Sequence, residues 1–299
     1  MEGEIRRRRR LRHLQERRRR AAIRRRNALL VAAIASAVLG AVVGAGAGGT
    51  GGAGEKGPKL ARGGLGPPPG DGLVHSTKPV PILMYHVIAN ARDSAANPEL
   101  FVKPIRFRSE MADLAKHGYQ AISLTQLYAA WKPGGPIPKR PIVLSFDDGY
   151  RGDYTDAMPI LAGRNWPGVL NLEMGSLASG ELTPAMVNRM LSSGWELASH
   201  TITHRDLTEV HGRDLQHEVG GSRDLLQRRF HVPVDFFCYP AGRFDQSTVT
   251  AVRRAGYLGA TTTREGLASK SAMFKLERIR VDSSDGVAGL ERKLKDAGA

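Results

Sequence analysis

Pro141-Ile142-Val143-Leu144-Ser145-Phe146-Asp147-Asp148-Gly149-Tyr150 is an apolar run that closes on two adjacent carboxylates and a glycine. Its length and composition are those of a buried strand bounded by a turn. Asp is disfavoured inside strands and expensive to bury, so two in succession need a hydrogen-bonded turn or a functional site. An Asp-Asp-Gly turn would by itself explain the pair; its surroundings argue for more.

Further strand-like segments lie at Pro81 to His86, Tyr119 to Leu124, Gly168 to Met174, Trp195 to His200, Asp235 to Pro240, Leu258 to Thr263 and Arg278 to Asp282. Amphipathic helical stretches fall between most of them, at Arg108 to His117, Tyr154 to Leu161, Pro184 to Ser192, Arg213 to Arg229 and Gln246 to Ala255. Repeated strand–helix alternation predicts a parallel sheet with crossover helices, here an α/β fold closed into a distorted (β/α)7-type barrel. Active sites of such barrels gather at the C-terminal ends of the strands. His86, Asp147, Asp148, His200, Tyr239 and Pro240 all fall there.

His200 and His204 follow Trp195-Glu196-Leu197-Ala198-Ser199 as the two carboxylates follow Leu144. Two imidazoles four residues apart can simply be solvated side chains on a turn. With a carboxylate they fill the three-ligand set of a catalytic divalent metal that keeps a position open for water, and the second carboxylate is left to act as a base.

These residues resemble the polysaccharide deacetylases that carry the NodB homology domain. Ser145-Phe146-Asp147-Asp148-Gly149 matches the first motif of that family, and His200-Thr201-Ile202-Thr203-His204 the second. The resemblance implies that Asp147 is the general base and that Asp148, His200 and His204 hold a divalent metal. Phe236-Phe237-Cys238-Tyr239-Pro240-Ala241-Gly242 looks like the third motif, which implies Tyr239, Pro240 and the Ala241 amide as substrate or oxyanion contacts. The Arg usual in that motif is missing, and so is the late Leu-x-His that commonly supplies the acid, because no His follows His231. Pro81-Ile82-Leu83-Met84-Tyr85-His86 is similar to the opening strand of the poly-N-acetylglucosamine deacetylase branch, which makes His86 a candidate acid or substrate contact. Arg278 can replace the missing Arg by pairing with Asp147 and keeping it ionised; the alternative is a surface salt bridge. The implied reaction is hydrolysis of an acetamide or acetyl ester. Zinc suits two His and one Asp, as do cobalt, nickel and iron.

The charge is unevenly placed. Met1 to Arg26 holds 13 Arg and three Glu, a net +10 of the formal +15. The basic composition therefore describes a tail, and no nucleic-acid partner is expected. The uncharged stretch 28–47 is about 30 Å long as a helix, enough to span a membrane. Arg-rich sequence before it predicts a cytoplasmic tail at 1–27, an anchor at 28–47 and an enzyme outside the cell membrane. A cleaved secretory signal is the competing reading. Gly/Pro-rich residues 48–77 read as a tether, and 78–299 as the deacetylase domain. The lone Cys238 cannot form an internal disulfide and reads as a small buried hydrophobe. Trp131, Tyr150, Trp166 and Tyr239 are candidates for stacking on sugar rings. The expected partner is an N-acetylated polysaccharide of the cell envelope. A non-catalytic glycan-binding module on the same fold is the alternative.

Overall fold

The computed structural model describes residues 72–90 and 97–299. The predicted tail, the predicted anchor and the tether as far as residue 71 lie outside the described residues. Among the described residues no helix is long and apolar enough to cross a membrane.

Eight strands carry the fold: β1 (Ile82–Tyr85), β2 (Gln120–Ala121), β3 (Pro141–Asp148), β4 (Val169–Leu172), β5 (Glu196–Ser199), β6 (Phe236–Cys238), β7 (Gly259–Glu265) and β8 (Leu276–Arg280). Seven of them close a parallel ring in chain order, β1-β3-β4-β5-β6-β7-β8, with β8 returning to β1. Strand β2 pairs with Pro141 and Ile142 of β3, just before β1 takes over the same edge from Val143 to Phe146. The strand is shorter than the predicted Tyr119 to Leu124, because Ser123 already caps the next helix.

Residue parity sorts the ring into two faces. Ile82, Val143, Val169, Ala198, Phe236 and Leu276, from six strands, pack together as the barrel filling. Residues of the opposite parity, Leu83, Leu144, Leu170, Leu197, Phe237 and Ile279, join the cluster that includes Met111, Ile160, Leu226 and Val252 from the surrounding helices. The helices include α1 (Pro104–Lys116), α2 (Leu124–Trp131), α3 (Met158–Ala162), α4 (Met174–Ser179), α5 (Pro184–Ser192), α6 (Gly212–Gln216), α7 (Ser222–Phe230), α8 (Gln246–Arg254) and α9 (Gly286–Ala297). The predicted helix Arg213 to Arg229 is interrupted by a π-turn, His217–Gly221, between α6 and α7.

Helix α2 closes the N-terminal end of the barrel. Leu124, Leu127, Ala130 and Trp131 pack into the barrel filling. A capping box holds its start, with Ser123 Oγ accepting from the Gln126 amide and Gln126 Oε1 from the Ser123 amide. Glu196 adds a second cap by accepting from the Leu124 and Thr125 amides at 2.7 and 3.1 Å and from the Thr125 hydroxyl. Leu73–Val74, which composition assigns to the tether, pairs antiparallel with Ile137–Pro138. Ordered structure therefore begins before residue 78.

Candidate active site

With that end plugged, the polar residues collect at the opposite one. Along β3, alternation turns Val143, Ser145 and Asp147 inward, and Arg278 reaches them from β8. Arg278 is fully buried and donates from Nη1 and Nη2 to the two carboxylate oxygens of Asp147, each at 2.8 Å. It also donates to the Thr262 carbonyl at 2.7 Å, the Ser145 hydroxyl at 3.1 Å and Cys238 Sγ at 3.3 Å. Asn171 of β4 donates from Nδ2 to Asp147 Oδ1 at 2.7 Å. Burial alone would raise the Asp147 carboxyl, but the charge and hydrogen bonds of Arg278 override it and hold the group well below the usual carboxylate range. The contact made by Arg278 is thus a buried bidentate pair, not a surface salt bridge.

Asp148 leaves the end of β3 with φ 75° and turns toward the mouth. Its Oδ1 lies 3.3 Å from His200 Nε2 and 3.3 Å from His204 Nε2, and the two imidazole nitrogens are 3.1 Å apart. Ligands at about 2.0–2.2 Å from a tetrahedral centre stand about 3.3–3.6 Å from one another. This triangle therefore has the size of one face of such a centre. Asp148 Oδ1 is buried without a hydrogen-bond donor, which the cost of burying a bare carboxylate oxygen makes a further mark of a cation cradle. His200 donates from Nδ1 to the Cys238 carbonyl at 2.8 Å, which turns Nε2 toward Asp148; burial would lower this imidazole, but Cys238 and Asp148 beside it hold it well above its usual range, so a cation held there would take the place of the Nε2 proton. Burial, followed by the proximity of His200, lowers the His204 imidazole to about 4. Neutral imidazole is the form that binds a cation. Asp147, His200 and Cys238 also lie close enough to share an ion, but the guanidinium fixed on Asp147 and Cys238 opposes a second positive charge there.

Four non-glycine residues at this end, Asp148, Thr201, His204 and Ala241, have left-handed φ values of 51–75°. Each costs on the order of 1 kcal/mol, and such strain concentrates at functional sites. Gly149 continues the turn with φ 84°, and a Cβ there would fall 2.6 Å from Leu172 Cδ1.

His86, one residue beyond β1, has its Nε2 3.9 Å from Asp147 Oδ2, and its Nδ1 is buried without a partner. Burial lowers its basicity, although Asp147 and Asp148 pull the other way. Ala241 lies in the loop after β6, exposed at the strand's mouth end, next to buried Pro240.

Three expectations need correction. Tyr239 is not a substrate contact: it is fully buried, and its hydroxyl donates to the Phe274 carbonyl at 3.0 Å. Cys238 and Tyr239 are consecutive on an extended backbone, so when Cys238 points inward Tyr239 must point into the helix layer. Cys238 is more than apolar filling, since its thiol lies 3.6 Å from Asp147 Oδ2 as well as against Arg278. Among the stacking candidates, Trp131 lies in the plug with its indole N–H on the Lys78 carbonyl, and Trp166 is buried. Tyr150 remains half-buried at the mouth, its phenol pushed up by burial and by Asp148. Sequence reading missed Ser145 as a support for Arg278 and Asn171 as a partner of Asp147. A polar residue at every second position of the predicted strands was the available signal.

A carboxylate kept ionised beside a three-atom cation cradle, at the C-terminal mouth of a parallel barrel, marks a hydrolase. The profile of the family described as "Polysaccharide deacetylase" matches residues 134–260. YxkH of Bacillus subtilis (strain 168), whose name places it among the polysaccharide deacetylases, is 30% identical over 212 residues, 70% of this chain and 73% of that protein. The poly-beta-1,6-N-acetyl-D-glucosamine N-deacetylase of Escherichia coli (strain K12) is 25% identical over 254 residues, which span 69% of this chain but only 37% of that enzyme. The structure of the Streptococcus pyogenes deacetylase PplD in complex with acetate superposes with a TM-score of 0.68 at 28% identity, covering 73% of this chain and 99% of PplD. The chain belongs to the polysaccharide deacetylase family.

Proposed function

We propose that this chain is a metal-dependent deacetylase that removes acetyl groups from an N-acetylglucosamine-containing polysaccharide at the cell envelope. The observation that carries the reading is Asp147, gripped by Arg278 beside the triangle of Asp148, His200 and His204. A cation in that triangle, held by Asp148 Oδ1 and the two Nε2 atoms, would supply a water acidified toward neutral pH and a polarised acetyl carbonyl. Asp147, ionised at any pH near neutrality, accepts the proton of the attacking water. Arg278 and Asn171 fix the carboxylate plane while it does so. His86, 3.9 Å from Asp147 Oδ2 and kept neutral near pH 7 by burial, is the candidate relay that takes up the proton Asp147 has removed from water and passes it to the departing nitrogen. The amide of Ala241 is the candidate oxyanion donor, a contact type whose loss costs about 3–4 kcal/mol of barrier.

The substrate class rests on the substrate named for the E. coli relative and on the Tyr85-His86 strand end. Delivery rests on the sequence: an Arg-rich 1–27 segment before the apolar stretch 28–47 fits an inner-side tail and a single-pass anchor, and 48–77 a tether. Acetate release from a panel of N-acetylated and O-acetylated glycans tests the reading. Release from β-1,6- or β-1,4-linked N-acetylglucosamine oligomers supports it. Release from acetylated xylan alone would move the enzyme to ester substrates, and none from any glycan by a metal-loaded chain would favour the binding module.

A further inference from the structure

The three side chains of the cradle are not equally well held. Asp148 is fixed by the end of β3, where Ser176 Oγ donates to its carbonyl. His200 is buried, and its Nδ1 is anchored on Cys238. The His204 side chain is 37% exposed, and its ring meets His200 and Asp148. Its orientation must come from its backbone, which lies in the left-handed region, as does Thr201 three residues earlier. That turn stays closed only if something outside it offsets the strain.

Glu218, in the π-turn between α6 and α7 and only 4% exposed, holds its carboxylate against the backbone of this turn. Its Oε2 accepts from the amides of Ile202 and Thr203, both at 3.0 Å, and its Oε1 from the Thr203 hydroxyl. The turn closes from within when the His204 amide donates to Thr201 Oγ1 at 3.0 Å. The π-turn is itself tied to β5: Ser199 and Ser222 hydroxyls meet at 2.7 Å, and Ser222 Oγ donates to the Val219 carbonyl at 2.9 Å. The widened helical turn thus holds a buried acceptor against two consecutive amides of the ligand loop, a placement typical of π-turns near functional sites.

We infer that Glu218 is a positioning residue of the metal centre, acting through the Ile202–Thr203 backbone to hold His204 in ligand geometry. The inference rests on the proposed cation site. Supporting residues of this kind change metal affinity about 10–100-fold when lost. Glu196 provides an internal control, since it accepts from two consecutive amides and a threonine hydroxyl in the same pattern, but at the plugged end of the barrel.

The test is zinc affinity of the full chain by chelator competition, with the melting temperature of each metal-free protein measured alongside. Glu218→Ala should bind zinc about 10–100-fold more weakly. Glu218→Gln should stay within a few-fold of wild type, because the amide oxygen can accept both N–H groups while its NH2 donates to the Thr203 hydroxyl. Glu196→Ala should lower the melting temperature and leave zinc affinity unchanged. The inference falls if Glu218→Ala binds zinc as wild type does, or if Glu196→Ala weakens binding as much. Should Glu218→Ala not fold, Glu218→Asp, whose carboxylate is withdrawn by one methylene, must show the same selective loss, and wild-type affinity in that variant would overturn the inference. If wild type itself binds no zinc, the metal-centre reading fails and this inference with it; a wild type that binds equally with Glu218→Ala removes only the latter.

Discussion

Replacing Arg278 by Met keeps the volume of the buried stem and removes the charge that faces Asp147. The guanidinium donates five hydrogen bonds, two of them to Asp147. After the change, the carboxylate keeps the Asn171 amide and the weak thiol contact. Removing one partner of a buried ion pair costs about 3–5 kcal/mol at neutral pH, because the other charge is left uncompensated. The pH dependence follows from the direction of each carboxyl. In the wild type Asp147 is depressed below its unfolded value, so its contribution is present above about pH 4 and is lost as pH falls toward the depressed value. In the variant, burial should outweigh what remains, the Asn171 amide and the His86 and His200 imidazoles, and raise the carboxyl, so stability is retained below about pH 4 and lost as pH rises. The gap between the two proteins should therefore be smallest near pH 4 and reach about 3–5 kcal/mol at pH 7. Denaturant unfolding at pH 4, 5.5 and 7 reads this directly. The acid limb of kcat/KM should move to higher pH in parallel, with a loss at pH 7 of about 100-fold or more as the base becomes protonated. A pH-independent gap, or an unmoved acid limb, would refute the pairing argument.

Asp147→Asn should lose about 10²–10⁴ of kcat with zinc affinity kept, as equilibrium binding and steady-state kinetics on one preparation will show. Glu110, buried in α1 with Oε1 unpartnered while Tyr85 Oη donates to Oε2 at 2.9 Å, is raised to about 7 by burial. A raised carboxyl loses stability as pH climbs from its unfolded value through 7, so Glu110→Gln should gain up to about 3 kcal/mol over wild type between pH 5 and 8. An equal gain at both pH values would contradict that. Gly149→Ala places a Cβ 2.6 Å from Leu172 Cδ1 at φ 84°; it should lower stability by at least about 1 kcal/mol and weaken zinc binding by displacing Asp148.

Parity and position explain which features were legible in the sequence. The strands of the ring and the mouth residues could be read because buried parallel strands are short apolar runs, and because strand ends are where barrels place polar groups. Tyr239 shows the limit of that rule: lying at a strand end says nothing about direction, and only counting parity from inward-facing Cys238 sends it into the helix layer. Helix α2 was hidden behind Ile122 and Leu124, which read as more strand, although Ser123 and Gln126 form an N-terminal signature three residues apart. Helix α9 falls where the sequence reading assigned no element. The Arg278–Asp147 pair joins residues 131 apart, so chemistry could suggest it but spacing could not. Glu218 left no trace in sequence, since an acidic residue in an amphipathic helix looks solvated until a π-turn buries it.

Acetate release from an N-acetylglucosamine oligomer, measured on one preparation before chelation, after chelation and after zinc is restored, tests the central claim most directly. The account predicts activity that disappears, returns, and stays absent in zinc-loaded Asp147→Asn. Activity that survives complete metal removal, or that zinc-loaded Asp147→Asn retains in full, would contradict it.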